Sequence, residues 1–241
     1  MIPVMLHTMD NITTKKEIIE NIIINVPKKV FQVSGCWDKQ ENIWDRKLIE
    51  FANSLLNEGD TFFDIGSNTG SFSFLNHNKN LKIHCFEPYS VVFDLLQETV
   101  DLNEFKGTHT LNQFGMSSHK SQVELKIPKY DGTGGSTISE RPLRFDEYIT
   151  ENINLNTIDD YVRENDIEKV DLIKIDTEGH ELFVLQGGIE TLKKFKPKVI
   201  MEHNPVNMKQ TNTNPEDIIK LLKDIGYQNI EKVTFEDLYA Y

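Results

Sequence analysis

Residues 62–74 of the chain read FFDIGSNTGSFSF. Paired aromatic residues lead into Asp64, a tight turn follows with Gly66 and Gly70, and apolar residues then recur as in a short helix. A buried strand that passes through a glycine turn into a helix is typical of the ligand-binding corner of an open α/β sheet. Three alternatives follow: the turn holds nucleotide phosphates, it holds another adenosine-containing cofactor, or it holds no ligand.

Strand and helix patterns alternate along the rest of the chain. The segments KIHCFE, HTLNQFG, VDLIKID and KVIMEH read as further strands with helices between them, which indicates a parallel sheet covered on both faces. The unbroken apolar run of VDLIKID is typical of a strand buried on both sides. NIEKVTF and LYAY read as a closing hairpin. We therefore predict a doubly wound α/β fold whose sheet is mostly parallel, with an antiparallel C-terminal strand.

Two segments fall outside this alternation. Residues 1–30 are predicted to form a helical appendage, capped by Thr14, that precedes a main domain over residues 31–241. Residues 128–150, PKYDGTGGSTISERPLRFDEYIT, carry three glycines between two strands. This stretch reads either as a solvated insertion or as a lid over the site.

Composition limits the partners and the compartment. The 241 residues include 26 lysines and arginines against 38 aspartates and glutamates, a formal net charge of -12. Such a chain repels phosphate backbones, so we expect no nucleic acid partner. No apolar run could span a bilayer, no signal peptide pattern is present, and the two cysteines match no zinc or redox spacing. We expect a cytoplasmic protein without a membrane partner, and the oligomeric state stays open.

The chemistry of the glycine turn separates the three alternatives. It lacks the Gly-Lys-Ser/Thr ending of a P-loop, and Asn68 stands where a dinucleotide fingerprint has its second glycine. Asp64 would repel a phosphate but attract an ammonium or a sulfonium. Glu87 ends the next strand, where a carboxylate accepts hydrogen bonds from ribose hydroxyls. This pattern favours S-adenosylmethionine as the cofactor.

Several segments resemble one family. FFDIGSNTGSFS, CFEPYSVVFDLLQETVDLN, TIDDY, and VDLIKIDTEGHELFVLQGG followed by KPKVIMEHN resemble the FkbM family of S-adenosylmethionine-dependent methyltransferases over roughly residues 44–204. The block from Ile173 to Gly179 is the most specific of these. The resemblance implies a Rossmann-like methyltransferase fold and methyl transfer to oxygen, often to a sugar or natural-product hydroxyl.

The turn and the resemblance together predict the cofactor-binding residues. These are Asp64, Gly66, Ser67, Asn68, Gly70, Glu87, Pro88, Phe114, Gly115 and Asp176. Ser67 and Gly115 each stand where the family usually has alanine. The smaller Gly115 is expected to alter the contacts with adenine.

Asp176 follows the fourth strand, which the usual methyltransferase strand order places beside the glycine-turn strand. A carboxylate or imidazole near a hydroxyl can accept its proton during methyl transfer, so Asp176, Glu178 and His203 are the candidate catalytic residues. Asp176 also reads as a turn residue and Glu178 as a helix-start residue. Lys174, inside an apolar strand, is expected to pair with an acid. Acids at strand ends can hold Mg²⁺, but no known ligand spacing is present, so we assign no metal.

The leading hypothesis is an S-adenosylmethionine-dependent O-methyltransferase for a sugar or small-molecule hydroxyl. One alternative is an RNA- or DNA-modifying methyltransferase, against which stand the net charge of -12 and the DTEG sequence in place of a base-methylating Asn/Asp-Pro-Pro-Tyr/Phe strand end. The other is a non-catalytic nucleotide-binding module, which the intact glycine turn and Glu87 disfavour. The identity of the acceptor stays open.

Overall fold

The computed structural model describes residues 14–19, 22–27, 46–75, 78–129, 134–140 and 146–241. The described strands are β1 (Thr14–Ile19), β2 (Ile22–Pro27), β3 (Thr61–Ile65), β4 (Lys82–Phe86), β5 (Thr108–Asn112), β6 (Gly115–Met116), β7 (Ser121–Pro128), β8 (Tyr148–Asn156), β9 (Leu172–Ile175), β10 (Lys198–Glu202), β11 (Ile230–Lys232) and β12 (Asp237–Ala240). The described helices are α1 (Arg46–Leu55), α2 (Ser71–Phe74), α3 (Ser90–Asp101), α4 (Ile158–Glu164), α5 (Glu181–Gln186), α6 (Ile189–Phe195), α7 (Pro205–Gln210) and α8 (Pro215–Ile225).

A seven-stranded sheet with the order β11-β12-β10-β9-β3-β4-β5 forms the centre of the fold. β10, β9, β3, β4 and β5 pair in parallel, whereas β12 pairs antiparallel with both β10 and β11. The chain runs from β3 towards β4 and β5 on one side and returns to β9 and β10 on the other. The strand order therefore switches between β3 and β9. This arrangement confirms the predicted fold class.

The central strands are buried because helices pack on both faces of the sheet. Every residue of β3 and of β9 is buried. Phe62 packs in one hydrophobic cluster with Leu48 of α1, while Phe63 packs in another with Tyr161 of α4. Successive side chains of a strand point to opposite faces, so β3 joins the two clusters. Burying each phenylalanine contributes about 1.5–3 kcal/mol.

A smaller sheet of order β6-β8-β7 was not predicted from the sequence. β7 and β8 pair antiparallel from Ser121 opposite Leu155 to Pro128 opposite Tyr148. Their residues alternate between polar and apolar, and few of them are fully buried, which gives a weak sequence signal. Residues 128–150 thus contain the connection between the two strands of a β-hairpin. Residues 130–133 and 141–145 lie outside the described part of the chain, and a lid function for this stretch stays a prediction.

The helical prediction for the N-terminal appendage is wrong over its described part. β1 and β2 pair antiparallel, from Thr14 opposite Pro27 to Ile19 opposite Ile22, where the pattern predicts a helix capped by Thr14. Isoleucine favours strands because its branched Cβ restricts the side chain in a helix. The other residues of 1–30 lie outside the described ranges, and the domain boundary stays a prediction.

One predicted helix is split in two. Sequence periodicity runs through GHELFVLQGGIETLKKF, but α5 ends and α6 begins around Gly187 and Gly188. A Cβ on Gly187 would lie 2.0 Å from the backbone oxygen of Ser117. The break therefore lets the segment after β6 approach the backbone.

Among the described residues, every helix is too short or too polar to cross a bilayer.

Gly66 and Gly59 form a matched pair for testing how closely the glycine turn packs. Their φ angles are 73° and 84°. A Cβ on Gly66 would lie 1.8 Å from the backbone oxygen of Asp176, whereas a Cβ on Gly59 would meet nothing within 4 Å. Gly59→Ala should cost only the left-handed conformation, about 1–2 kcal/mol. Gly66→Ala should cost about 4 kcal/mol or more, because backbone segments of neighbouring strands must also move apart.

Urea unfolding of both variants measures the difference. An equal loss of unfolding free energy in the two variants would show that the contact between Gly66 and Asp176 does not constrain the turn.

Candidate active site

A cavity of about 550 Å³ lies at the carboxyl ends of β3, β4, β9 and β10. This volume is typical of a small-molecule site, and the switch point of an open α/β sheet is where ligands bind. The predicted residues that line it are Gly66, Ser67, Asn68, Glu87, Pro88, Gly115, Asp176 and Glu178. The predicted residues outside its lining are Asp64, Gly70, Phe114 and His203.

The glycine turn after β3 is fixed to the strands on both sides. The backbone N–H groups of Gly66 and Ser67 donate to the carbonyl oxygen of Phe86 over 3.0 and 3.1 Å. Lys174 Nζ donates to the carbonyl oxygen of Gly66 over 3.0 Å. These hydrogen bonds hold the turn at the edge of the cavity.

Glu87 ties the glycine turn to the start of α3. Its Oε2 accepts from the backbone N–H of Asn68 and its Oε1 from that of Tyr89, each over 2.9 Å. Burial raises the pKa of Glu87 to about 7, although these two hydrogen bonds favour the ionised form. The carboxyl group keeps unused lone pairs, because each oxygen accepts a single bond from these backbone donors.

Asp64 lies behind the turn, not in the cavity. Its side chain is fully buried, and Ser73 Oγ donates to Asp64 Oδ2 over 2.6 Å. Lys174 Nζ lies 3.6 Å from Asp64 Oδ1 and 3.5 Å from Asp176 Oδ2. Burial raises the pKa of Asp64, and the charge of Lys174 opposes that shift. Lys174 therefore pairs with acids as expected. Asp64 does not reach the cavity where the cofactor contact was predicted, and its carboxylate lies beside Lys174 instead.

Gly70 and Phe114 also act from behind the cavity. A Cβ on Gly70 would lie 2.2 Å from the ring of Phe74, so glycine allows α2 to pack closely. The Phe114 ring centroid lies 5.8 Å from that of Phe86 and 6.0 Å from that of Tyr161. Both residues support the residues that line the cavity, and the structure does not bring either one to its surface.

The turn after β9 presents Glu178 to the cavity through an unusual backbone. Glu178 and Gly179 have φ angles of 54° and 99°. A Cβ on Gly179 would lie 2.2 Å from the backbone oxygen of Asn207, so this close approach to α7 requires glycine. Glu181 Oε1 accepts from the backbone N–H groups of Thr177 and Gly179 over 2.9 and 3.1 Å. The block DTEGHE thus closes its own turn.

Three carboxylates meet at the cavity, and we name Asp176, Glu178 and Glu202 the acid cluster. Each offers an oxygen within 4.8 Å of the others. Asn207 Nδ2 donates to Glu178 Oε2 over 2.7 Å and to both oxygens of Glu202 over 3.0 Å. Burial, followed by the charges of Asp176 and Glu178, raises the pKa of Glu202 to about 10. The environment of Glu202 therefore favours its protonated form, which relieves the repulsion within the cluster.

The acid cluster adds residues that sequence reasoning did not assign. The sequence does not fix the register of β10, so it does not show whether the side chain of Glu202 faces the cavity. Asn207 belongs to no recognised motif. Carboxylate oxygens at this spacing are also the ligands that Mg²⁺ prefers. The assignment of no metal therefore stays an untested prediction.

The two histidines near these strands differ in position. His180 lines the cavity, its Nε2 lies 2.9 Å from Ser117 Oγ, and burial lowers its pKa to about 4. His203 is 8% exposed, and its Nε2 lies 3.0 Å from the carbonyl oxygen of Pro215. His203 therefore faces α8 and not the cavity, which argues against its predicted role as a base.

The glycine turn, the buried acid after β4 and the acids after β9 and β10 occupy one edge of a mostly parallel sheet. This combination defines the Rossmann-like class of methyltransferases. A profile of the Methyltransferase FkbM domain matches residues 64–228, and the chain belongs to the FkbM methyltransferase family.

Individual relatives are distant. Hexuronic acid methyltransferase AglP of Haloferax volcanii is 25% identical over 197 residues, which cover 81% of this chain and 74% of AglP. 2-O-methyltransferase NoeI of Sinorhizobium fredii is 26% identical over 166 residues, which cover 59% of this chain and 63% of NoeI. The crystal structure of Methyltransferase FkbM from Methylobacillus flagellatus superposes with a TM-score of 0.50 at 19% identity. That match covers 78% of this chain and 45% of the other, and it shows the fold.

The raised pKa of Glu87 predicts a measurable pH dependence of stability. Its pKa is about 7 in the folded protein against an ordinary 4.5, so folding favours the protonated form. This contribution to stability is complete below pH 4.5 and is lost as the pH rises through 7. Glu87→Gln should remove a falling slope of up to about 1.4 kcal/mol per pH unit.

Denaturant unfolding between pH 4.5 and 7.5 compares the slopes of the two proteins, and Glu104→Gln, at an exposed position, is the control. Parallel slopes in the wild type and Glu87→Gln would contradict the assignment.

Proposed function

We propose that the chain transfers a methyl group from S-adenosylmethionine to a hydroxyl of a sugar. Family membership supports methyl transfer. The observation that carries the finer proposal is the acid cluster, which shares one cavity with the glycine turn. A proton acceptor thus lies beside the expected cofactor site.

The chain's residues fit the expected cofactor. Gly66 leaves room for no side chain, so backbone forms this wall of the cavity, and Glu87 offers a carboxylate for ribose hydroxyls. The missing side chain of Gly115 leaves an apolar wall of Leu155 and Pro88, which suits an adenine ring. S-adenosylmethionine supplies an electrophilic methyl group on a sulfonium, a cation that a carboxylate-lined cavity attracts.

Asp176 is the proposed proton acceptor. O-methylation requires that the chain hold a hydroxyl oxygen in line and take its proton. Asp176 is 41% exposed on its side chain, and its Oδ2 lies 3.5 Å from Lys174 Nζ. Burial raises the pKa of Glu202 and favours its protonated form, and Glu178 already accepts from Asn207, so Asp176 is the more accessible carboxylate.

The relatives and the charge support a sugar acceptor. AglP is named for a hexuronic acid and NoeI for 2-O-methylation. A nucleic acid acceptor is disfavoured because its phosphates would meet a chain of net charge -12 and an acid-lined cavity.

The test is incubation of the purified protein with S-adenosylmethionine and a panel of methyl glycosides. Mass spectrometry should find S-adenosylhomocysteine together with a sugar heavier by one methyl group. Calorimetry should show S-adenosylmethionine binding and no binding of NAD or ATP. Methylation of RNA with none of any glycoside would overturn the proposed acceptor.

Asp176→Asn separates proton transfer from binding. It keeps the size of the side chain and removes the charge, so turnover should fall by about 10²-fold or more. Glu178→Gln should have a much smaller effect if Glu178 only shapes the turn.

Thermal melts of both variants must accompany the kinetics, so that lost folding is not read as lost chemistry. Full turnover of Asp176→Asn would remove Asp176 as the base.

A further inference from the structure

Phe235 is an exposed aromatic side chain at the edge of the cavity. It lies in the turn between β11 and β12, is 89% exposed, and belongs to the cavity lining. The other large apolar side chains exposed in the described ranges, Tyr148, Val206 and Tyr241, are absent from that lining. Lys232 Nζ lies over the ring, 5.7 Å from its centroid, and the opposite face of this exposed side chain is available to a ligand.

The turn that carries Phe235 is firmly attached beside the acid cluster. The backbone N–H of His203 donates to the carbonyl oxygen of Glu236 over 2.5 Å, and Asn204 Nδ2 donates to Glu236 Oε1 over 2.8 Å. Lys232 Nζ donates to the carbonyl oxygen of Phe235 over 3.2 Å. His203 and Asn204 directly follow Glu202, so these bonds fix the position of Phe235 relative to the cluster.

An aromatic face beside carboxylates and amides suits the two-sided chemistry of a pyranose ring. One face of the ring presents C–H groups, which pack against the negative face of an aromatic ring. The edge presents hydroxyls, which need polar partners such as Asn204 and Glu236. Asn204 and Glu236 already share a hydrogen bond, and the second carboxylate oxygen of Glu236 has lone pairs that can accept from a sugar hydroxyl.

The charge of the cavity restricts which sugar can enter. Among the described residues, six carboxyl groups line it, from Glu87, Asp176, Glu178, Glu202, Glu236 and Asp237. Burial raises the pKa of Glu87 and Glu202, so the negative charge comes chiefly from the other four. Lys174, the lysine in that lining, already lies near Asp64 and Asp176. An acceptor with its own carboxylate would therefore meet like charge. This differs from the hexuronic acid in the name of AglP.

We propose that the acceptor is an uncharged pyranoside whose ring stacks on Phe235 and whose reacting hydroxyl faces the acid cluster. This inference rests on the proposed sugar O-methylation and adds the charge class of the acceptor and the residue that positions it. Phe235 is a positioning residue, because it holds the ring and takes no proton.

Binding to the full chain tests the proposal without requiring turnover. Saturation-transfer NMR with S-adenosylhomocysteine present compares methyl glucoside, galactoside and mannoside with the corresponding methyl uronides, which differ by a carboxylate at C6. At least one neutral pyranoside should bind tenfold or more tightly than its uronide. Equal or tighter binding of the uronides would overturn the inference, as would no binding of any pyranoside.

Variants of Phe235 test the stacking. Phe235→Ala should weaken binding of the neutral pyranoside, or raise its KM, by tenfold or more while kcat and the affinity for S-adenosylmethionine change little. Phe235→Trp should restore binding. Tyr241→Ala, at an exposed aromatic residue outside the cavity, is the matched control and should bind as the wild type does. An unchanged KM in Phe235→Ala would overturn the role of Phe235.

Two outcomes separate this inference from the proposed function. Binding of a neutral pyranoside through Phe235 without any methylated product would refute the reaction and leave the binding site. Preferential methylation of a uronide would support sugar O-methylation and refute the charge class.

Discussion

The ammonium group of Lys174 lies at the junction on which the site depends. It is 5% exposed, donates to the carbonyl oxygen of Gly66 over 3.0 Å, and lies 3.6 and 3.5 Å from carboxylate oxygens of Asp64 and Asp176. A buried charge is tolerated only with such partners, and losing one leaves the others uncompensated. The group therefore couples the glycine turn of β3 to the acid at the end of β9. One side chain therefore positions both the side of the cavity proposed to hold the cofactor and the side proposed to accept a proton.

The acid cluster, in contrast to the ion pairs of Lys174, brings groups of like charge together. Its carboxylates lie within 4.8 Å of one another, which ordinary repulsion would disfavour. The hydrogen bonds from the amide of Asn207 lower that cost, as does the raised pKa of Glu202, which favours its neutral form. The DTEGHE block gives the structural reason for the arrangement, since Gly179 permits the approach of α7 and Glu181 closes the turn. Acids that look redundant in the sequence thus have separate tasks.

The apolar strand patterns predicted the central sheet. The glycine turn predicted the side of the cavity at the end of β3. VDLIKID reads as a central strand because apolar residues occupy both faces, and Lys174 within it signals a buried acid. Tertiary contacts decided the rest. Asp64 faces Lys174 because Ser73 packs beneath it, the register of β10 alone directs Glu202, and Phe235 reaches the cavity only through hairpin pairing with β12. No local periodicity carries that information.

The antiparallel hairpin β11-β12 has a consequence for how the family can diversify. The predicted cofactor residues Gly66, Glu87 and Gly115 precede β7, whereas Phe235 and Glu236 come from a short turn after β11. That turn contributes no strand pairing to β3, β4 or β9. On the proposed role of Phe235, substitutions in that turn would alter which acceptor is admitted and leave the glycine turn and Glu87 in place. Acceptor choice and donor choice would then be encoded in separate stretches of one chain, open to independent selection.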